Sequence, residues 1–449
     1  MCNPSIFREC DIRGIADRDL PNDAVKHLGR AIGTFLQRQS GPRLVLGRDC
    51  RLSSPRLHQA LLEGLLATGA QVTDIGIVPT PVLYFAAIDH DAHGAIIITG
   101  SHNPADYNGF KILSNGATLH GEDIQAIHRL TQTQDYLSGP GQTHTADAIP
   151  AYIDQIAHQF HYPRKLKVVI DSGNGTAGPV IGPLLARLNC DVLSLFAEMD
   201  GHFPHHHPDP TTPENLSALA AKVRETNADL GIGFDGDADR IGAVDQHGQP
   251  VYGDMLMLIY AREILTRHPG ATIIGDVKCS QHMYAEIARL GGRPLMNKTG
   301  HSLIKARMKE EGALLAGELS GHMFFADRYH GFDDALYAAC RLIEILANSG
   351  VPLSRQLDGL PVTVTTPEIR LEAPDEQKFD IVNRVAEHFR PTHKIDATDG
   401  ARILFPHGWG LIRASNTQPA IVLRFEAESE VQLHAYRAEV EAALARESQ

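Results

Sequence analysis

The sequence predicts an α/β protein of several domains, on three observations. Its 449 residues are too many for one hydrophobic core. Three consecutive stretches repeat one plan: a short apolar strand, a sharp polar loop at its end, then a helix. The remainder, from about Pro361, is more strand-like and includes Ala420 to Phe425. The shared plan suggests repeated α/β domains, although no strict sequence repeat accompanies it.

Ile6-Phe-Arg-Glu-Cys-Asp-Ile-Arg-Gly14 opens the first unit with two arginines and a turn glycine. Ala24 to Arg38 places Val25, Leu28, Ala31, Ile32, Phe35 and Leu36 at helical spacing. Leu44 to Asp49 is a short strand, Ser54-Pro55 starts a helix as N-cap and N1, and Gln71 to Ile77 is a further strand. The alternation predicts a mainly parallel sheet. Ala95-Ile-Ile-Ile98 has no polar alternation, the pattern of a strand buried on both faces. It stops at Thr99-Gly-Ser-His-Asn-Pro104, which puts Ser101 and His102 at a strand's carboxyl end, where open α/β sheets bind ligands. A hydroxyl there fits a nucleophile, a phosphate ligand or a phosphate carrier. It equally fits a helix cap in an ordinary strand-to-helix turn. The unit closes in a Gly/Gln/Thr-rich stretch from Leu137 to Thr145.

The second unit begins at Lys165. Lys167 to Asp171 is a strand and Ser172 to Gly178 a loop leading into a helix. That loop contains a formal GxGxxG, but Asp171-Ser172 precede the first glycine, and a tight strand-helix turn is the better reading than a nucleotide site. A polar crossing from Asp200 to Pro213 carries four histidines. Three of them are adjacent, and neighbours on an extended chain point to opposite faces, so they chelate poorly. Leu230 to Phe234 is the next strand, ending in Asp235-Gly-Asp-Ala-Asp-Arg240. Three alternating carboxylates repel unless a cation is bound, and oxygen-only ligands point to Mg²⁺ first. The alternative is a solvated acidic turn. An EF-hand is a poor fit, because Arg240 stands where that loop needs Gly and Gln246 where it needs Glu. Asp235 as the nucleophile of an aspartyl phosphatase fits the spacing but leaves Ser101 without a job.

The third unit starts near Gly253 with a long helix, a strand at Thr272 to Asp276, and Asn297-Lys-Thr-Gly-His-Ser302. In Gly317-Glu-Leu-Ser-Gly-His322, Glu318 and Ser320 could hold vicinal sugar hydroxyls, or form only a turn. In the fourth piece, Arg413-Ala-Ser-Asn-Thr417 packs a guanidinium, two hydroxyls and an amide on one loop, suited to a phosphate or to a polar hairpin.

A net charge of -13 argues against a nucleic-acid partner. An anionic substrate would then need basic groups or metal concentrated locally. No apolar run reaches the roughly 18 residues of a membrane helix, and the N-terminus lacks a signal core. Six scattered cysteines without CxxC fit a reduced cytoplasm.

Together these segments resemble the α-D-phosphohexomutase superfamily, most closely its bacterial phosphomannomutase/phosphoglucomutase members. The resemblance runs from Phe7 to about Glu428. It rests on Phe7 to Gly14, Thr99 to Pro104 with Tyr107-Asn-Gly-Phe-Lys111, Asp235 to Arg240, Lys298-Thr-Gly-His-Ser302, Gly317 to His322 and Arg413 to Pro419. It implies three similar mixed-sheet α/β domains plus a smaller C-terminal sheet-plus-helix domain around a central cleft. The expected bounds are 1–145 with a phosphoserine loop, 146–250 with a metal loop, 251–361 with a sugar-binding loop and 362–449 with a phosphate-binding loop. The implied reaction is reversible interconversion of hexose 1-phosphate and hexose 6-phosphate, the sugar being mannose, glucose or both. It would run through a phosphoserine enzyme and a hexose 1,6-bisphosphate, which also acts as activator, with Mg²⁺ as cofactor.

By matching position, Ser101 would carry the phosphoryl group and, with Asp235, Asp237 and Asp239, bind the metal. Arg13, His102, Lys111, Arg240 and His301 would be catalytic residues of the cleft. Glu318 and Ser320 would hold the sugar's 3- and 4-hydroxyls, with Lys278 and His322 as further substrate contacts. Arg413, Ser415, Asn416 and Thr417 would clamp the phosphate that is not reacting. Phosphoglucosamine mutase is the rival within the class, and a sugar phosphatase using Asp235 the rival outside it. The expected partners are hexose phosphates alone, with no nucleic acid and no membrane, and the chain is expected to be a cytoplasmic monomer.

Three positions depart from the family pattern. Cys10 stands where an aromatic residue is common, and Ala238 where the metal loop usually has Gly. If position 238 needs a positive φ, Ala costs of order 1 kcal/mol. His205 takes a place where Asn is usual, and no role is assigned to it.

Overall fold

The computed structural model describes residues 2–415 and 419–448. The apolar run forms the strand Gly94–Ile98. Its alternate side chains feed two separate cores, Ala95 and Ile97 on one face and Ile96 and Ile98 on the other. Each fully buried isoleucine contributes about 1.5–3 kcal/mol, so this strand anchors the first unit from both sides.

The same four-strand order recurs in each of the first three units. Tyr107–Ser114 lies antiparallel to Gly94–Ile98, which is parallel to Arg43–Arg48, itself parallel to Gln71–Ile77. In the second unit the order is Ile241–Asp245, Leu230–Phe234, Lys167–Asp171 and Asp191–Leu195, with the same senses. In the third it is Met323–Phe325, Leu315–Gly317, Thr272–Asp276 and Arg293–Asn297. The fourth unit is an antiparallel sheet, with Ala420–Ala427, Gly408–Ala414 and Ala401–Phe405 at its centre. The helices Lys378–Phe389 and Glu430–Glu447 pack on it. The fold class read from the sequence therefore holds.

Three local expectations do not. The stretch Leu137 to Thr145 is not only a domain end: Gln142–Thr145 is a strand paired parallel with Gln71–Ile77. Ser54 is already inside the helix Ser54–Leu66, with Ser53 at the cap position. The chemistry-bearing loops at Ser101, Asp235 and Glu318 are followed not by a helix but by the antiparallel strand of a hairpin. Ser101 therefore caps no helix. The first sheet is consequently mixed, and the loops that do lead into helices are the neighbouring ones, such as Ser172–Ala177 before Gly178–Arg187.

One continuous apolar cluster runs through the first three units, from Val82 and Phe85 through Val180 and Phe234 to Met257 and Leu342. The fourth unit has its own core and meets the third through a small cluster of Val277, Trp409 and Leu411. Among the described residues no helix is long and apolar enough to cross a membrane.

Asp334 marks the junction of the second and third units. Its carboxylate caps the helix Ala335–Ser349 by accepting from Tyr337 N at 2.8 Å, and it also accepts the phenols of Tyr329 (2.6 Å) and Tyr152 (2.8 Å). Burial pushes its carboxyl up to about 6 despite these donors. The folded protein then holds this proton more tightly than the unfolded chain does between roughly pH 4 and 6. Asp334's contribution to stability accordingly falls as pH rises through that window and is level above it. Measured by denaturant midpoints between pH 4 and 7, wild-type stability is expected to decline by about 2 kcal/mol relative to Asp334→Asn.

Candidate active site

The Ser101 loop is held by local geometry that few residue types tolerate. Ser101 has φ +49°, its amide donates to Thr99 Oγ1 at 2.8 Å, and its hydroxyl donates to Asp235 Oδ2 at 2.7 Å. His102 Nδ1 lies 3.2 Å from the same hydroxyl. Burial, then Arg240 and Arg13, hold the His102 ring well below the usual histidine range, so it is neutral. Arg13 reaches in from the strand Ile12–Ile15, donating to Asn103 Oδ1 at 2.6 Å and pairing with Asp11 at 2.5 Å.

Asp235, Asp237 and Asp239 are completely buried, and their nearest oxygens lie within 4.8 Å of one another. Asp235 Oδ1 accepts the amides of Asp239 and Arg240, which folds the loop back on itself. Lys111 donates to Asp237 Oδ2 at 2.7 Å and to Asp239 Oδ2, and Thr80 donates to Asp237 Oδ2 at 2.5 Å. Burial and the other two carboxylates push Asp235 well above the carboxylate range. Burial also works against ionisation of Asp237, but Lys111 and Thr80 bring it below that range. Two oxygens, Asp237 Oδ1 and Asp239 Oδ1, are buried with no hydrogen-bond partner. All-oxygen donors, two of them orphaned, fit a hard divalent cation. Ala238 has φ +58° and is fully buried. The condition for strain at this departure is met, while its packed methyl returns about 0.8 kcal/mol.

Beside the acidic loop, Arg240 Nε donates to His322 Nε2 at 2.9 Å. Arginine only donates, so His322 Nε2 carries a lone pair and the ring proton sits on Nδ1. Nδ1 faces Asp333 Oδ2 at 3.2 Å and Asp239 Oδ1 at 3.8 Å. Asp239, His322 and Asp333 are close enough to suggest a second metal cluster. A protonated Nδ1 cannot ligate a metal, and Lys305 already pairs with Asp333 at 2.8 Å, so the cluster is charge-paired within the protein. His301 stacks on His322 at 5.6 Å and faces the same carboxylate at 3.6 Å. Burial, then Lys305, keep His301 neutral.

The Glu318 loop and the Arg413 loop are joined by shared contacts. Glu318 is buried and accepts Gly300 N at 2.7 Å, with Ser320 half-buried on the same turn. Thr299 N donates to Asp399 Oδ2 at 3.1 Å, and the same oxygen accepts Arg413 Nε at 2.8 Å. Lys278 pairs with Glu368 at 3.0 Å and Asp276 at 3.5 Å. The Ser415 carbonyl accepts from Lys378 at 2.5 Å. Asn416 and Thr417 lie outside the described residues. A continuous path of contacts thus runs from Ser101 through Asp235, Arg240 and His322, along the sugar loop to Glu318, then through Gly300, Thr299 and Asp399 to Arg413. It draws on all four units.

Profiles of phosphoglucomutase/phosphomannomutase match four successive segments: alpha/beta/alpha domain I at residues 4–138, domain II at 150–248, domain III at 252–363 and the C-terminal domain at 368–443. The chain belongs to the phosphoglucomutase/phosphomannomutase family. It is 47% identical over 430 residues to the phosphomannomutase/phosphoglucomutase of Pseudomonas aeruginosa, covering 96% of this chain and 93% of the relative. It is 44% identical over 430 residues to the phosphoglucomutase of Neisseria gonorrhoeae, covering 95% and 93%. The crystal structure of a phosphoglucomutase/phosphomannomutase family protein from Burkholderia thailandensis superimposes with a TM-score of 0.93 at 43% identity, covering 100% of this chain and 98% of that one.

Most of the described residues singled out from the sequence lie on this network or on a loop that carries it, whereas Lys278 pairs beside it, with Glu368 and Asp276. Sequence reasoning missed Thr80, Lys305, Asp333, Glu368 and Asp399. Only Asp333 left a signal, as the first of two adjacent aspartates before a helix. The GxGxxG loop is structural: a Cβ on Gly175 would lie 2.7 Å from Gly236 O and one on Gly178 2.0 Å from Ala197 O, so its glycines face protein. His205 stacks on Phe196 at 4.1 Å, and His206 pairs with Asp171 at 3.0 Å, which makes the histidine run a tethered loop. Cys10 is buried against Gly300, whose Cβ would lie 3.2 Å from Sγ, and burial pushes its thiol up to about 12. That departure therefore sits inside the site, next to the glycine that donates to Glu318.

The orphaned oxygens make a direct expectation. Mg²⁺ added to chelator-treated protein should raise the thermal midpoint, with stabilisation of about 2.7 kcal/mol at a hundredfold excess over Kd. Asp239→Asn should abolish the rise.

Proposed function

We propose that this protein is a phosphohexomutase that interconverts hexose 1-phosphate and hexose 6-phosphate, with mannose and glucose phosphates as substrates. The observation that carries the reading is the Ser101 hydroxyl, buried and hydrogen-bonded to one of three clustered carboxylates, two of which keep an unpartnered oxygen. A hydroxyl so placed suits a phosphoryl carrier. All six cysteines are free, which supports a cytoplasmic location.

Asp235, Asp237, Asp239 and the phosphate on Ser101 would hold Mg²⁺, which supplies Lewis-acid neutralisation of the transferring phosphoryl charge. Ser101 carries the phosphoryl group. Its Oγ–P bond breaks as a bond forms from phosphorus to the free hydroxyl at C1 or C6 of the bound sugar phosphate. The hydroxyl proton goes to His322 Nε2, whose lone pair is freed once Arg240 turns to the phosphoryl oxygens. Asp333, 3.2 Å from Nδ1 on the far side of that ring, offsets the charge the ring gains. The 1,6-bisphosphate turns over, and its other phosphoryl group returns to Ser101. Glu318 and Ser320 hold the sugar hydroxyls in both orientations. Arg413, Ser415, Asn416 and Thr417 hold whichever phosphate is not reacting, with Asp399 as the carboxylate that Arg413 leaves to do so.

In a coupled assay with mannose 1-phosphate and glucose 1-phosphate, Mg²⁺ and a trace of hexose 1,6-bisphosphate, wild type should form 6-phosphates without free phosphate. Ser101→Ala should lose at least about 10³-fold. Equal release of free phosphate by both proteins would move the chemistry to Asp235. Arg413→Ala should raise KM about 10–100-fold with a smaller change in kcat, because the clamp binds ground state and transition state alike.

A further inference from the structure

Beneath the Ser101 loop lies a side chain that the mechanism has not used. The Arg51 side chain has no solvent exposure, and its four Nη hydrogens meet three carbonyls of the loop and that of Tyr107, the first residue of the next strand. Nη2 donates to Ser101 O (2.7 Å) and Asn103 O (2.6 Å), and Nη1 to Pro104 O (2.5 Å) and Tyr107 O (3.0 Å). Its Nε faces Asp49 Oδ2 at 3.3 Å, and that oxygen also accepts Gly100 N at 3.0 Å. Nothing larger than glycine fits at 100, where a Cβ would lie 2.4 Å from Arg51 Nε. The Ser101 carbonyl is closed in from the other side by Gly236, whose Cβ would come within 2.5 Å of it.

The second unit completes the enclosure. Phe203 covers the guanidinium with its ring centroid 5.2 Å away, and Gly201 packs on the Cys50 carbonyl. Phe203 holds φ +50°, a conformation a bulky side chain keeps only where its surroundings over-determine it. Strain thus sits on the residue that covers Arg51.

We propose that Arg51 is a positioning residue for phosphoryl transfer. It moulds the Ser101 loop, and Phe203 closes the mould from the second unit, so that Oγ is in register with the acidic loop. The inference rests on Ser101 as phosphoryl carrier. Guanidinium is the group required, since its planar fork spans four carbonyls where an ammonium offers three hydrogens from one point. The loop must present Oγ identically with and without its phosphate, and a displacement of about 1 Å at a reacting atom costs about 10²-fold in rate.

The test compares wild type, Arg51→Lys, Phe203→Leu and Ser101→Ala by thermal midpoint, steady-state kinetics and single-turnover transfer from phosphorylated enzyme to glucose 1-phosphate. Arg51→Lys keeps the buried charge. It is expected to lower kcat and the single-turnover rate about 10²-fold with KM within about threefold. Phe203→Leu is expected to shift the same two rates about three- to tenfold in the same direction. A purely structural role would lower the thermal midpoint and leave kcat per folded molecule unchanged, and that result overturns the proposal, as does a loss confined to KM. If Arg51→Lys fails to fold, Phe203→Leu decides by the same split. Full activity in Ser101→Ala would instead overturn the carrier reading itself, whatever Arg51→Lys does.

Discussion

Three buried carboxylates within 4.8 Å of one another set the terms for everything around them. At about 4 Å and an effective dielectric near 20, each like-charge pair costs about 4 kcal/mol. Three such repulsions exceed the two attractions that Lys111 supplies. The residual imbalance appears as the raised carboxyl of Asp235 and as two oxygens with nothing to accept from. A dication resolves both at once. Without one, the loop survives because its backbone folds onto Asp235 and because Thr80, Lys111 and Ser101 converge on it from the first unit. The first two units are therefore locked together by chemistry as well as by their shared apolar core.

That lock explains why the functional loops are hairpins. A strand-to-helix loop aims its backbone amides along one helix axis. A hairpin at the end of a parallel strand instead presents side chains from a tight turn while both its strands stay buried in the sheet. The same sheet order three times over places three such turns at equivalent ends, and the strand-to-helix loops beside them become packing surfaces. Gly175 against Gly236 is the closest example, and Arg51 beneath the Ser101 loop is another.

The sequence made legible what is encoded locally. Ala95 to Pro104 and Asp235 to Arg240 could be placed at strand ends because apolar runs and polar turns are contiguous in the chain. The hairpins were not legible, since a strand after a polar loop and a helix after one differ only in a few residues of periodicity. Nor was Gln142–Thr145, a fully polar edge strand with no alternation to announce it. Thr80, Asp399 and Arg51 escaped for a different reason. Each gains its function from a partner far away in the chain, at 157 residues for Thr80 with Asp237 and 100 for Asp399 with Thr299. A lone Thr or Asp on a turn carries no mark of such a meeting.

The division of the core bears on how one site can serve two phosphates. The first three units share a single apolar cluster, so Ser101, the acidic loop and the sugar loop form one rigid frame. The fourth unit touches the third through three buried apolar residues and through polar contacts, among them Arg402 to the Val277 carbonyl, Arg424 to the Lys278 carbonyl and the ion pair Lys278–Glu368 at 3.0 Å. Among the described residues, its ion pair with the first unit is the partly exposed Arg8–Asp375 at 3.4 Å. Surface pairs of that kind contribute about 1 kcal/mol or less. Arg413 thus sits on a unit whose core is separate from the frame that carries Ser101, the acidic loop and Glu318. Asp399 fits this arrangement. By holding Arg413 while linking it to Thr299, it keeps a buried guanidinium paired, where a bare charge would carry a large desolvation cost.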